Sequence, residues 1–504
     1  MAKERFDNKS SAMNERCLNM KEMLNALKQI RTERKSKKMA EEKDKKPSIW
    51  SGYTDADKIE MEKLGAGYID FISRCKTERE SVCEAVKCAE AVGYKNLADV
   101  IRTGQKLKAG DKVYSVCMKK TVALFHVGTE PIENGLKILG AHNDTCRLDV
   151  KQNPLYEDGG LAYLDTHYYG GIKKYQWVTL PLAMHGVVVK KDGEVIEIVI
   201  GEDESDPVFC VTDLLIHLSQ EQMKKTATKV VEGENLDILV GNYPLKDGDK
   251  ESVKKGVLKL LKDKYNIDEQ DFLSAELALV PAGKARDLGF DRSMVLGYGQ
   301  DDRVCSYTSL VAMLELANET FGKTACCLLV DKEEIGSVGA TGMKSKFFEN
   351  TLAELMNACG QYSELSLRRA LQNSFMLSSD VSSAYDALYA SAYDKKNVAY
   401  LGKGMVFNKF TGSRGKSGSS EANAEYVGKL REILDKNNVH YQFSELGKVD
   451  LGGGGTIAYI MATYGMEVID SGVAVLSMHA PWEATSKIDI YETKKGYTAF
   501  LKEI

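Results

Sequence analysis

Two stretches, S-Y-T-S-L-V-A-M-L-E-L-A at residues 306–317 and T-A-C-C-L-L-V-D at 324–331, decide the fold. The first carries apolar side chains at helical spacing. The second is a short unbroken apolar run closed by an acid, as expected of a strand buried on both faces. Working outward, E-Y-V-G-K-L-R-E-I-L-D-K (425–436) predicts a helix and S-G-V-A-V-L-S-M-H (471–479) a strand. This alternation argues for an α/β fold with a mostly parallel central sheet covered by helices. Upstream, D-K-V-Y-S-V-C-M-K-K-T-V-A-L-F-H-V-G (111–128) and L-K-I-L-G-A-H (136–142) are β-rich, and residues 68–90 read as one helix stopped by Gly93.

Between about 151 and 289 the texture changes. V-V-V-K-K-D-G-E-V-I-E-I-V-I (187–200) predicts a hairpin with Asp-Gly at its turn, and K-D-G-D-K-E-S-V-K-K-G-V-L-K-L-L (246–261) an acidic turn before an amphipathic helix. The segment 151–289 is therefore expected to be a β-rich domain inserted into a larger one made of 1–150 and 290–504. Residues 1–48 form a charged, helix-prone extension. From Arg31 to Lys46 eight Lys/Arg accompany four acids, the pattern of a solvated helix face.

Composition narrows the class. The 504 residues are 43% hydrophobic and 28% charged, which excludes disorder, collagen-like structure and a disulfide miniprotein. Lys and Arg number 68 against 73 Asp and Glu, so a net charge of -5 gives no pull toward nucleic acid or an anionic membrane. No segment approaches the roughly 20 apolar residues that span a bilayer, and M-A-K-E-R-F-D-N-K at the start lacks the apolar core of a secretory signal. A cytoplasmic protein with no nucleic-acid or membrane partner is expected. The eleven Cys are scattered, with one adjacent pair at Cys326-Cys327, which suits reduced, buried thiols.

Several predicted strands end on a side chain able to bind metal. L-K-I-L-G-A-H-N-D closes on His142 and Asp144, C-C-L-L-V-D-K-E-E on Glu333 and Glu334, S-F-M-L-S-S-D on Asp380 and G-V-A-V-L-S-M-H on His479. Ligands of open α/β sheets gather at the carboxyl ends of the strands, so these residues can converge although they span more than 300 positions. Asp301 and Asp302, just before a predicted helix, add carboxylates, although an Asp there serves equally as an N-cap. Two zinc-like ions need a bridging carboxylate with His and carboxylate ligands on either side, and these residue types allow it. Asp144, two positions after His142, falls on the same face if the strand continues and can orient the imidazole.

At these residues the chain resembles a known family. G-A-H-N-D-T-C-R-L-D-V-K-Q-N-P-L-Y-E (140–157) is similar to the signature of the aspartyl aminopeptidase / aminopeptidase I family of dinuclear zinc exopeptidases. The likeness continues in order through Y-Y-G-G-I-K-K-Y-Q-W-V-T-L-P-L-A-M-H-G, G-Q-D-D-R-V-C-S-Y, D-K-E-E-I-G-S-V-G-A-T-G, S-S-D-V-S-S-A-Y-D and S-M-H-A-P-W-E, from about 140 to the C-terminus. The resemblance implies His142, Asp301, Glu334, Asp380 and His479 as ligands to two divalent ions, Zn with Co or Mn as substitutes, and Asp301 as the bridge. It implies Glu333 as general base and Asp144 as the carboxylate behind His142. It further implies hydrolysis of the first peptide bond of peptides with a free N-terminus, and a dimerisation role for the inserted domain. The assembly it implies is a homo-oligomer, dimers building a tetrahedral dodecamer.

Preference for an acidic first residue would require a cation in the pocket for that side chain. Lys403, Lys409, Arg414 and Lys416 lie in a Gly-rich stretch that can supply one. Eukaryotic aspartyl members carry a His shortly after a Gly-Gly pair, where this chain has Lys173-Lys174 after Gly170-Gly171; His167 or Lys174 is the candidate replacement. Two rival functions share the same residues, a dinuclear amidohydrolase acting on N-acyl substrates and an inactive assembly scaffold. Retention of all five ligand candidates plus Glu333 argues against the scaffold. G-S-R-G-K-S-G-S-S (412–420) has Phe410 where a phosphate-binding loop needs Gly, and neither H-E-x-x-H nor G-x-S-x-G occurs. His126, His185, His217 and His440 have no carboxylate company in the sequence and read as structural or exposed.

Overall fold

The periodicity that reads as one helix over 68–90 belongs to two, α1 (Asp55–Arg74) and α2 (Glu78–Ala91). Thr77 and Glu80 cause the break. The Thr77 N–H donates to the Glu80 carboxylate at 2.9 Å and the Glu80 N–H to the Thr77 hydroxyl at 3.4 Å, a reciprocal cap that starts a new helix. The computed structural model describes residues 48–246 and 248–504, so nearly all of the expected 1–48 extension lies outside the described residues. Residues 54–504 form one compact unit.

Within it, β1 (Lys95–Asn96), α3 (Leu97–Thr103), β2 (Lys112–Cys117), β3 (Thr121–His126) and β4 (Leu136–His142) begin a nine-stranded sheet with its first covering helix. The chain then builds a second, seven-stranded sheet from β5 (Arg147–Asp158), β6 (Leu161–Tyr169), β7 (Leu182–Val189), β8 (Val195–Ile200), β9 (Cys210–Val211), β10 (Ile238–Gly241) and β11 (Ala275–Pro281). Every pairing in it is antiparallel, and α4 (Ser252–Tyr265) packs on β5, β6 and β10. The β7–β8 hairpin turns at Asp192-Gly193, where Gly193 takes a φ of 90° that an L side chain would resist.

A third sheet starts with β12 (Arg286–Leu288) and β13 (Met294–Gly297). The chain then returns to the first sheet through α5 (Gln300–Glu315), β14 (Thr324–Val330), α6 (Phe347–Ala358), α7 (Glu364–Gln372) and β15 (Phe375–Ser379). After β16 (Ser382–Ser383) of the third sheet come β17 (Met405–Asn408), α8 (Ala424–Lys436), β18 (Tyr441–Phe443), α9 (Ala458–Ala462) and β19 (Glu467–Gly472). Finally β20 (Ala474–Leu476) and β21 (Glu483–Ser486) finish the third sheet before α10 (Lys487–Glu503).

The nine-stranded order is β1-β2-β3-β14-β4-β15-β19-β17-β18, and its centre, β14-β4-β15-β19, is parallel. Antiparallel pairs occur at β2–β3, β3–β14 and β17–β19, so the sheet is mixed. All seven residues of β4 and of β14 are buried. Along β14 the alternation of strand side chains sends Ala325, Cys327 and Leu329 into one core and Cys326, Leu328 and Val330 into the other. The first core packs under α1, α2, α5, α8 and α10, the second under α3, α6, α7 and α9, giving three layers. Register then does the positioning: Val330 pairs with His142 and Ser378 with Gly140, so β14, β4 and β15 end together on one edge.

A buried ionic cluster ties α2 to the antiparallel sheet. His185, read from sequence as lacking carboxylate company, has Nδ1 2.7 Å from Glu80 and Nε2 3.1 Å from Glu202. Those partners lie 105 residues upstream and 17 downstream, where no local pattern reveals them. Lys76 joins the cluster through Glu202 and the carbonyls of Pro281 and Gly283, at 2.7 and 2.9 Å. Among the described residues no helix is long and apolar enough to cross a membrane.

Candidate active site

The common edge of β14, β4 and β15 brings the predicted ligands together. His142 ends β4, Glu333 and Glu334 follow β14 by one short turn, and Asp380 follows β15. Asp301 sits in the first turn of α5, and His479 comes from the connection between β20 and β21. Asp301 is the centre of the arrangement. Its Oδ1 lies 3.2 Å from His142 Nε2 and its Oδ2 3.1 Å from His479 Nε2, so the two imidazoles face opposite oxygens of one carboxylate. Glu334 lies 3.5 Å from His479 Nε2, and Glu333 4.0 Å from His142 Nε2. Donor atoms of His142, Asp301 and Asp380 fall within 4.8 Å of one another, as do those of Cys146, Glu334 and His479.

The imidazoles are held from behind. Nδ1 of His142 is 3.0 Å from the Asp144 carbonyl and 3.3 Å from its carboxylate, and Nδ1 of His479 is 3.0 Å from the Gly171 carbonyl. A ring that donates from Nδ1 presents its Nε2 lone pair to the site. β4 stops at His142, so Asp144 reaches the ring from the irregular link to β5 rather than from a continuing strand. Its carboxylate does more than support His142. It accepts the N–H groups of Glu333 and Glu334 at 3.0 and 3.1 Å and the hydroxyl of Tyr169 at 2.8 Å, which fixes the loop that carries both glutamates.

The electrostatics call for a cation. Burial pushes Glu333 up to about 7, with Asp301 adding to the effect, and burial together with Asp301 pushes Glu334 up to about 8. Asp380 is raised by burial and by Asp302 and Asp301. Burial works against Asp301 as well, yet the two imidazoles beside its oxygens hold it below the usual carboxylate range. Such buried, mutually repelling carboxylates beside two neutral-capable imidazoles form a nitrogen and oxygen donor set that suits zinc. The residues therefore fit the metal.

A cavity of about 790 Å³ opens onto the cluster. Asp301, Glu333, Glu334, Asp380 and His479 line it together with the loop 410–416 and residues 444–449 and 452–456. Arg414 and Lys416 are among the lining residues; Lys403 and Lys409 are not, and Lys409 lies 3.9 Å from Glu421. His167 is exposed with Nδ1 2.7 Å from the Tyr168 carbonyl, and Lys174 Nζ sits 5.8 Å from the centre of the Tyr168 ring. Neither lines the cavity. Tyr169, Cys146 and Glu483 had no role in the sequence reading. Tyr169 and Glu483 stand inside quoted motifs, but only three-dimensional proximity assigns them a partner.

Comparison with known proteins places the chain in a family. The sequence model of the aminopeptidase I zinc metalloprotease family (M18) matches residues 71–501. The probable M18 family aminopeptidase 1 of Clostridium acetobutylicum is 62% identical over 455 residues, covering 90% of this chain and 97% of the relative. The crystal structure of aminopeptidase I from the same organism superposes with a TM-score of 0.85 at 59% identity, covering 91% of this chain and 99% of that one. The M18 aminopeptidase structure from Thermotoga maritima gives a TM-score of 0.86 at 40% identity, covering 91% and 100%. With a matching model over most of its length and relatives this similar, the chain belongs to the aminopeptidase I zinc metalloprotease family and is a zinc metalloaminopeptidase, a hydrolase of peptide bonds.

Proposed function

We propose that the chain removes the N-terminal residue of peptides at a dinuclear zinc centre bridged by Asp301. His142 and Asp380 complete one position, Glu334 and His479 the other. The observation that carries this reading is the pair of imidazole Nε2 atoms facing opposite oxygens of the one buried Asp301 carboxylate, at 3.2 and 3.1 Å. Bound there, the two ions would supply Lewis acidity, lowering the pKa of water and polarising the scissile carbonyl. Glu333 is the general base. It lines the cavity beside the ligand cluster without being needed as a ligand, accepts a proton from the attacking water and returns it to the departing amine. Asp144 keeps Glu333 in place by accepting its backbone N–H.

The substrate is a peptide with a free N-terminus, its first side chain facing the 410–416 loop. Arg414 and Lys416 in that loop support a preference for an acidic first residue, although Lys416 also pairs with Glu421 at 3.1 Å. The β5–β11 sheet is the inserted dimerisation domain, and the assembly is the dodecamer that the resemblance implies. An exposed apolar run on the insert, Leu214, Leu215, Ile216 and Leu218, supports an interface there. The deciding experiment measures zinc per chain together with turnover of Asp, Glu, Leu, Met and Lys anilides. Two zinc ions and fastest release of Asp and Glu are expected. One zinc ion per chain ends the dinuclear reading, and a faster Leu or Lys anilide ends the acidic preference.

A further inference from the structure

Glu483 opens β21 and is 1% exposed. Its two carboxylate oxygens reach two different parts of the site. Oε1 accepts the backbone N–H of His479 at 2.8 Å, and Oε2 accepts the backbone N–H of Asp301 at 3.2 Å. Glu483 is itself locked: it pairs with Gly297 in the β13–β21 ladder, and its carbonyl accepts from Gln300 Nε2 at 3.3 Å. It does not line the cavity.

The His479 end of this clasp needs holding. His479 and Ser477 both adopt left-handed backbone, at φ 63° and 60°, a conformation disfavoured for a side-chain-bearing residue. Asp301 also has non-helical torsions inside α5, so neither residue is fixed by regular secondary structure. One rigid carboxylate spanning both N–H groups fixes the separation of the Asp301 and His479 backbones.

We propose that Glu483 is a positioning residue that sets the spacing of Asp301 and His479, and thereby the affinity for the zinc held by Asp301, Glu334 and His479. This rests on the dinuclear reading above. Only a carboxylate offers two acceptors and no donor; a glutamine would keep one contact and turn its NH₂ toward the other N–H.

The test compares the full-length parent with Glu483→Gln. Zinc per chain is followed across a graded chelator series, with the absorption spectrum of the cobalt-loaded protein and the thermal midpoint recorded alongside. Glu483→Gln should hold the His142–Asp380 zinc as the parent does, bind the other about 10- to 100-fold more weakly, and show an altered cobalt spectrum. Activity should recover in part as free zinc rises. Parental affinity at both positions with an unchanged spectrum overturns the proposal, as does equal weakening at both. If Glu483→Gln does not fold, Glu483→Asp must show the same selective weakening, and failure of both to fold assigns Glu483 a purely structural role and also overturns it. A parent that holds one zinc ion fails the dinuclear reading itself, a result distinct from these.

Discussion

Nδ1 of His479 lies 3.0 Å from the carbonyl oxygen of Gly171, a residue 308 positions earlier in the chain. Gly171 lies two residues past the end of β6, so the antiparallel sheet sets the rotation of a ring in the proposed metal cluster. The two adjacent glycines answer differently to a methyl group. At Gly170, with φ 78°, a Cβ would stand 2.6 Å from Cys146 Sγ and 3.3 Å from Glu334; at Gly171 the nearest atom is His479 Nδ1 at an ordinary 3.5 Å. Gly170→Ala should therefore lower kcat/KM by about tenfold or more, since sub-ångström shifts at a metal site carry that cost, while Gly171→Ala stays close to the parent. Steady-state kinetics on both variants check this, and the reverse ranking would show that the loop yields freely.

Glu333→Gln should bind metal as the parent does and lose about 10²- to 10⁴-fold in kcat, the usual worth of a general base. Metal analysis beside kcat separates the base from a ligand. Lost metal would make Glu333 a ligand, and retained turnover would remove it from the chemistry.

His142→Ala and His479→Ala should each lower zinc per chain, by removing an imidazole that faces Asp301. Stripping the zinc with a chelator should also lower the thermal midpoint, because Glu334 and Asp380 are then left buried among like charges. Re-added zinc should restore it in a concentration-dependent way, since a ligand of the native state stabilises by mass action. A midpoint that ignores zinc would show the cluster to be stable without it.

The Glu80–His185–Glu202 cluster predicts a pH signature in stability. Burial opposes charge on His185, yet the two carboxylates raise it above the ordinary 6.5, so its contribution is complete below about pH 6.5 and fades as pH rises through the folded value. Burial likewise opposes Glu80 and Glu202, but His185, with Lys76 beside Glu202, holds both below 4.5, so theirs is complete above about pH 4.5 and fades as pH falls. The stability gap between the parent and His185→Gln should be widest between about pH 5 and 6 and narrow on either side. Thermal unfolding across pH 3 to 9 checks the shape; a gap that widens steadily toward alkaline pH contradicts it.

The strands of the central sheet were legible because burial on both faces leaves long apolar runs, as in β4 and β14. The candidate ligands, Asp301 excepted, were legible because they are polar interruptions at the ends of such runs. What periodicity does not carry is contact across distance. The 68–90 helix divides because Thr77 and Glu80 cap each other, a pattern weaker than the apolar stripe running through it. His185 acquires its two carboxylates, and Glu483 the N–H of Asp301, through tertiary approach alone. Asp144 lies 3.0 Å from His142 Nδ1 through its carbonyl, although the strand expected to carry it there ends two residues before it.

The placement of His479 and Glu483 on the β20–β21 connection has a consequence for biosynthesis. Both follow His142, Asp301, Glu334 and Asp380 in the sequence, so they leave the ribosome after these residues. Domains begin to fold as they are made, yet a nascent chain here holds His142, Asp301, Glu334 and Asp380 with no second imidazole. On the proposed ligand set, the metal cluster is therefore completed only once the β20–β21 connection has been made and docks.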